Sequence, residues 1–501
     1  MQGVFHGACV MNLRPYPAEP SSKPIWLTTL LPLALLLLPW VAPWSPAPQP
    51  NTVPLLLSWA CIGCLLALGQ PVKPIDIARA WAWAALISSV MGLIQYFGAA
   101  SAFSPWLHVT GLGEANANLR QRNQLATLSG IGVLSVLWWR ANGLKTQHAL
   151  WMLALLAIGN AATASRTGLL HMLLVTCLAV FWSFRSRFET QSLSPLLAFW
   201  ALAIYLLGNW ALPWLLNGQS GQDISGAWVR MGNNDGCGSR RVLWGNVIQL
   251  IGEKPWTGWD WDELKYAHYI TLYEGTDTRF CDILGNAHNL PLHLAVTLGV
   301  PITAGLGVAL LAVLVRARPW LSRLPDQQLA WSVLAVIGLH SLLEFPLWYG
   351  PFQMAVLLCG VLFMSPASGD NTGTSLPVRL AGGLVLATVC MVGADYARAR
   401  QIYLPAQHRW SLWGADPLGA ARSSWFFKRS GTFAELTMTP VTPQNASWVL
   451  TTSLDMLHYS PEPMVVRQLI KSASILGRQD LVRLHLARWS AAFPSEPMPT
   501  P

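Results

Sequence analysis

The chain has 501 residues, a formal net charge of +9, 53% hydrophobic and only 11% charged residues, and 27 Trp. So much apolar surface cannot be hidden in one water-soluble core, which excludes a soluble globular protein and makes the bilayer part of its solvent. The positive balance does not point to nucleic acid, because Lys and Arg fall mostly in short loops between apolar runs and no basic stretch is interleaved with aromatics.

Residues 1–24 carry Arg14 and Lys23 and lead into an apolar run, in outline like a signal peptide. Because further apolar runs follow, the expectation is a retained first helix behind a cytoplasmic segment. Runs long enough to cross about 30 Å of hydrocarbon lie near 25–43, 53–70, 77–99, 123–141, 148–163, 167–184, 194–216, 288–315, 328–347, 351–366 and 377–394, about eleven in all, within a range of about 10–13. The expected fold is an all-α polytopic membrane protein. Helices 1–7 occupy 25–216, a long loop 217–287, helices 8–11 occupy 288–394, and a helical C-terminal domain fills 395–501. Loops holding Lys73 and Arg79, Arg140 and Lys145, Arg185 and Arg187, and Arg316, Arg318 and Arg323 face the cytoplasm by the positive-inside rule. The other side then receives residues 46–54, 108–122, 161–167, 217–287 and 340–351, and with an odd span count the tail as well.

The long loop holds Trp244, Trp256, Trp259, Trp261, Tyr266, Tyr269 and Tyr273, too many aromatics for a solvated coil. Residues 241–251 have helical spacing, which Lys254-Pro255 ends. Cys237 and Cys281 are the only cysteines in this loop, and facing an oxidising compartment they are expected to form a disulfide. Cys61, Cys64, Cys177, Cys359 and Cys390 fall inside apolar runs, so Cys61-x-x-Cys64 reads as two small hydrophobes rather than a redox or zinc motif.

After the loop comes Asn286-Ala-His288-Asn289, nine residues, then Gly299-Val-Pro301. His288 and Asn289 stand at the mouth of a span, where polar groups are costly unless used or paired. The competing reading is a pair that merely caps the new helix. The next outward loop supplies His340-Ser-Leu-Leu-Glu344-Phe-Pro346, in which His340 and Glu344 at i, i+4 share a helical face, a spacing that suits an ion pair or hydrogen-bonded pair; the competing reading is a buried helix-packing pair. Arg120, Arg122, Arg166, Arg240, Arg241 and Arg279 converge on the same side. Guanidinium groups beside a membrane suit a diphosphate, which they grip bidentately, although any one of them alone fits snorkelling to headgroups. No phosphate-binding Gly-Lys-Ser/Thr loop, dinucleotide fingerprint or His-Glu-x-x-His site appears, so neither cofactor nor metal is expected. Asp260 and Asp262 leave a weak metal alternative.

Five runs carry a resemblance: Cys237-Gly-Ser-Arg240…Leu-Trp244, Glu253-Lys254-Pro255-Trp256-Thr-Gly258-Trp259, Phe280-Cys281-Asp282, Asn-Ala-His288-Asn289-Leu-Pro-Leu-His293, and His340-Ser-Leu-Leu-Glu344-Phe-Pro-Leu-Trp348. They are similar to bacterial O-linked oligosaccharyltransferases of the pilin-glycosylation ligase type, in the superfamily of O-antigen ligases and Wzy-type polymerases. The resemblance is close over 220–365 and loose elsewhere. Thr297 departs from it where Glu is frequent, and Gly258-Trp-Asp260-Trp-Asp262 departs where Gly is more usual. In the tail, residues 465–476 and 480–493 read as two amphipathic helices joined at Gly477-Arg478, resembling a tetratricopeptide-like hairpin.

The resemblance implies an undecaprenyl (polyprenyl) diphosphate-linked glycan as donor and a Ser or Thr hydroxyl of a pilin-like periplasmic protein as acceptor. It implies an enzyme of the bacterial inner membrane, in contact with membrane lipid and with its active site facing the periplasm. Arg166, Arg240 and Arg122 bind the diphosphate, with Arg120, Arg241 and Arg279 as further candidates. His288, positioned by Asn289, activates the acceptor or stabilises the leaving group, and His340 with Glu344 is a support pair or second base. Transfer to lipid A-core or polymerisation of O-antigen is the alternative within the superfamily. A secondary transporter is the remote one, and the internal repeats it calls for are not seen.

Overall fold

The computed structural model describes residues 30–69, 72–185, 193–220, 236–273, 279–364 and 375–499. Among them all regular structure is helical. The membrane part opens with α1 (Leu31–Val41), α2 (Thr52–Leu68), α3 (Pro74–Tyr96), α4 (Arg122–Ala141), α5 (Thr146–Ala162), α6 (Arg166–Arg185) and α7 (Pro195–Ser220). After the long loop come α10 (Leu290–Leu298), α11 (Val300–Ala317), α12 (Pro325–Ser341), α13 (Gly350–Met364) and α14 (Leu376–Ala399). Five helical stretches, 74–96, 166–185, 195–218, 300–321 and 376–403, are long and apolar enough to cross a bilayer, and α1, α2 and α13 are shorter apolar helices. This is a polytopic membrane protein. The expectations placed on residues 1–24 and Arg187 lie outside the described residues.

Packing follows the rule for helices in lipid, where small residues let backbones approach. A Cβ on Gly132 of α4 would strike Ala85 of α3, and one on Gly159 of α5 would strike Ser89 of α3. These contacts place α4 at the centre, with its residues 124–138 all buried. Gly63 of α2 and Gly382 of α14 make a similar close crossing at the periphery. In contrast, α11 buries none of its residues and exposes Leu306, Val308, Leu310 and Val313, which suits a helix surrounded by acyl chains.

The apolar run over 288–315 predicts one helix, but the structure divides it into α10 and α11 at Gly299, whose φ is +85°. The cause is a strand of the loop that docks into the break. Trp259 N–H donates to the Val296 carbonyl at 2.8 Å, Asp260 N–H to that of Thr297 at 3.1 Å, and Val300 N–H to that of Pro255 at 2.8 Å. Backbone meets backbone so closely that a Cβ on Gly299 would strike the Trp256 carbonyl, and one on Gly258 the Thr297 carbonyl. Both positions therefore need glycine.

Residues 221–235 and 274–278 of the loop are outside the described part. The rest contains α8 (Arg240–Glu253) and α9 (Leu264–Ile270). Ser239 caps α8, its Oγ accepting the Val242 N–H at 3.4 Å, and Pro255 follows its end. Cys237 and Cys281 form a disulfide with Cα atoms 5.3 Å apart, which ties the start of α8 to the stretch leading into α10. Leu243, Val247, Leu250, Leu264, Ala267, Phe280 and Leu284 give the loop a small core of its own. The tail comprises α15 (Pro417–Arg422), α16 (Lys428–Met438), α17 (Ala446–Tyr459), α18 (Pro463–Ile475) and α19 (Gln479–Ala492). Gly477, at φ +71°, turns α18 into α19. The tail core admits Tyr269 of α9, so tail and loop share one side of the molecule.

Candidate functional site

Glu344 organises the site. The run 340–344 predicts a His340–Glu344 pair, but α12 ends at Ser341 and Phe345-Pro346 turns the chain into a short 3-10 segment. The Glu344 carboxylate, whose side chain is only 6% exposed, is thereby carried away from His340. One of its oxygens pairs with the Arg240 guanidinium of α8 and accepts the Asn123 amide N–H of α4 at 3.0 Å. The other meets His288 Nδ1 at 2.5 Å. Asn123 is held in turn by Ser165, whose Oγ donates to its Oδ1 at 2.6 Å just before α6 begins.

An ionised carboxylate only accepts, so His288 Nδ1 carries the proton and its Nε2 is the nitrogen left for chemistry. The ring stands edge-on to Phe345 with centroids 4.9 Å apart. Its backbone has φ +50°, a left-handed conformation unusual for a non-glycine residue, held by the His288 N–H donating to Asn286 Oδ1 at 2.9 Å. Burial lowers the Arg240 guanidinium from its usual value, Glu344 opposes that, and Arg166 adds to it. Two guanidinium groups, one half-buried against the carboxylate and one exposed at the start of α6, thus repel one another. The chemistry of such a pair suits a polyanion.

The other candidates lie elsewhere. Asn289 is the cap of α10: its Oδ1 accepts the Leu292 N–H and its Nδ2 donates to the Leu342 carbonyl, both at 3.0 Å. It fixes the helix start, while Glu344 orients the His288 ring. His340 is buried behind the site, its Nδ1 2.8 Å from the Thr127 hydroxyl, which itself donates to the Asn123 carbonyl. Arg122 pairs with Glu114 at 3.7 Å, and Arg120 donates to the Pro43 and Ser45 carbonyls, both at 3.2 Å. Arg241 is exposed on α8. Arg279 donates to the Thr271 carbonyl at 3.1 Å and lies over Tyr273, inside the loop, where burial lowers it from its usual value.

A family model described as O-antigen ligase matches residues 151–307, and one described as virulence factor membrane-bound polymerase, C-terminal, matches residues 328–500. The first region carries Arg166, Arg240 and His288; the second carries Glu344. Over these two regions the chain is similar to O-antigen ligases and to membrane-bound polymerases.

Among curated relatives, the chain is 24% identical over 314 residues to the general O-oligosaccharyltransferase of Acinetobacter baylyi, covering 59% of this chain and 51% of that one. It is 25% identical over 255 residues to the ComP-specific O-oligosaccharyltransferase of the same organism, covering 50% and 44%. The chain spans about half the length of the curated relatives it matches. The Glu344 carboxylate is where the two matched regions meet. Asn123, which sequence reasoning leaves without a role, lies outside both; its one signal is its place beside Arg122 at the mouth of a span. Thr297 takes no part in the charge network: its hydroxyl donates to the His293 carbonyl at 2.7 Å within α10.

Proposed function

We propose that this protein is a glycosyltransferase that moves an oligosaccharide en bloc from a polyprenyl (undecaprenyl) diphosphate to Ser or Thr hydroxyls of a periplasmic, pilin-like protein. The single observation that carries this reading is the Glu344 carboxylate bridging His288 and Arg240. Such a transfer needs a base for the acceptor and cations for the leaving diphosphate, side by side. The acceptor oxygen attacks the anomeric carbon as the bond from that carbon to the phosphate oxygen breaks. The electron pair leaves with the lipid diphosphate, held by Arg240 and Arg166, and the hydroxyl proton passes to His288 Nε2. Glu344 keeps the ring in that tautomer and stabilises the imidazolium that forms. Direct attack inverts the anomeric centre.

The names of the two relatives support a protein acceptor, whereas the two family descriptions favour a second reading, transfer to lipid A-core or to a growing O-antigen chain, by the same chemistry. In this reading the eleven crossings are α1 to α7, the α10–α11 pair, α12, α13 and α14, about the number the apolar runs predict. The loop and tail face the periplasm of a bacterial inner membrane.

His288→Ala is expected to lower glycan transfer by about 10²-fold or more at normal expression, the usual share of a positioned base. Mass spectrometry of periplasmic glycoproteins, with a lipopolysaccharide gel, reads this and separates the acceptor classes. Undiminished glycosylation by the variant would remove His288 from the mechanism.

A further inference from the structure

Trp261 is 56% exposed, yet nothing about it is loose. Its ring lies parallel to that of Trp348, 6.1 Å between centroids and 7° between planes, and the His293 ring stands edge-on to both, at 5.9 and 5.2 Å. The backbone on either side is strained, with Asp260 at φ +77° and Asp262 at φ +69°, both in the region that favours glycine. Hydrogen bonds of Trp259 and Asp260 to the end of α10 hold the segment, and Lys265 ties Asp262 at 3.2 Å. Strain kept in a clamped segment, around an exposed ring, asks for a function.

The aromatic surface is continuous with His288. Phe345 touches the His288 ring and lies 6.5 Å from Trp348, while His293 Nδ1 sits 3.5 Å from the Ala287 N–H, one residue before His288. Two or three ring contacts therefore separate Trp261 from the site. Trp256 of the same segment is more exposed, at 78%. Exposed carboxylates on both sides of Trp261 disfavour anionic headgroups. They suit a sugar, whose C–H face stacks on an indole while its hydroxyls donate to carboxylates.

We propose that Trp261, backed by Trp348 and flanked by Asp260 and Asp262, is a platform that holds a sugar ring of the donor glycan one or two residues away from the anomeric carbon that reacts at His288. This rests on the glycosyl-transfer reading and assigns the glycan, as distinct from the diphosphate, to its own surface.

The test uses full-length protein in nanodiscs and, as probe, the free oligosaccharides released by mild acid from the host's lipid-linked glycan pool. Saturation-transfer NMR is expected to give sugar C–H signals with the wild type, none with Trp261→Ala, and at least half with Trp261→Phe. In transfer assays Trp261→Ala is expected to raise the KM for the lipid-linked glycan about tenfold, the worth of one stacked ring, with kcat within about twofold. Unchanged NMR signals in Trp261→Ala overturn the platform. So does a wild-type Trp261 fluorescence quenched by brominated lipid with KM unmoved, which marks a lipid anchor. A signal lost in Trp261→Ala together with undiminished transfer by His288→Ala would keep the platform and sink the mechanism.

Discussion

Glu344 serves three donors with two oxygens, and each comes from a different part of the chain: Arg240 from the loop, His288 from the entrance to α10, Asn123 from the mouth of α4. A substitution there tests the tautomer argument directly. Glu344→Gln keeps size but brings an amide N–H toward a ring nitrogen that already donates, which turns the imidazole or moves its proton to Nε2. The expected result is a kcat lower by about 10²–10⁴-fold with the KM for donor little changed. Michaelis kinetics on purified protein decide it, and a kcat loss below about tenfold would mean that His288 does not need this partner. The individual residues of this cluster were legible as types at marked positions: a His at a span mouth, an Arg after the loop cysteine, a Glu before Phe-Pro. Their partnership was not. The nearest neighbour by spacing, His340, is discarded because α12 stops three residues short of Glu344, and no local rule foretells a contact across 56 residues.

Long helices were legible for the reason that membranes are simple: every apolar run must be helical once water is absent. The break at Gly299 was not, since hydropathy is continuous through it and the interruption comes from another segment inserting its backbone. The joint between loop and tail was equally hidden, being made of polar groups spread over 263–270 and 446–492. There His458 Nδ1 meets Glu263 at 2.6 Å, Arg488 donates to the Ile270 carbonyl at 3.0 Å, and Tyr269 hydroxyl lies 2.9 Å from His485 Nδ1. Burial, with Arg488 beside it, depresses His485 from 6.5 to about 4. The neutral ring accepts the Tyr269 O–H; the protonated one cannot. A His depressed on folding binds its proton more readily when unfolded, so its contribution is complete above 6.5 and is lost as pH falls toward 4. We expect the loop–tail joint to weaken over that window, by at most about 1.4 kcal/mol per pH unit. Limited proteolysis of the tail at pH 5 and pH 7.5 measures it, and His485→Gln should flatten the difference. A pH response that survives that substitution would assign the effect to another group.

At the scale of the molecule, chemistry and shelter lie on one side, with the loop, the tail and the entrance to α10 all gathered there. From the charge asymmetry between loops we expect that side to face outside. In a background without the free cysteines, Gln249→Cys in α8 and Ser490→Cys in α19, both exposed, are expected to react with an impermeant maleimide in intact spheroplasts. Arg323→Cys should react only after permeabilisation. Opposite labelling of Gln249→Cys and Ser490→Cys would contradict the shared core that joins loop to tail.

That shared core also sets an order of events during synthesis. Tyr269 and the rest of α9 are made while their cover, residues 446–492, is still unwritten, and α10 to α14 precede it in the chain. The loop therefore waits while α10 to α14 are made, with an aromatic face open to water, folded only as far as its own core and one disulfide allow. A ribosome that stalls before residues 446–492 are made leaves every catalytic candidate in place and the loop uncovered, an unfinished protein that a protease can recognise by that face alone.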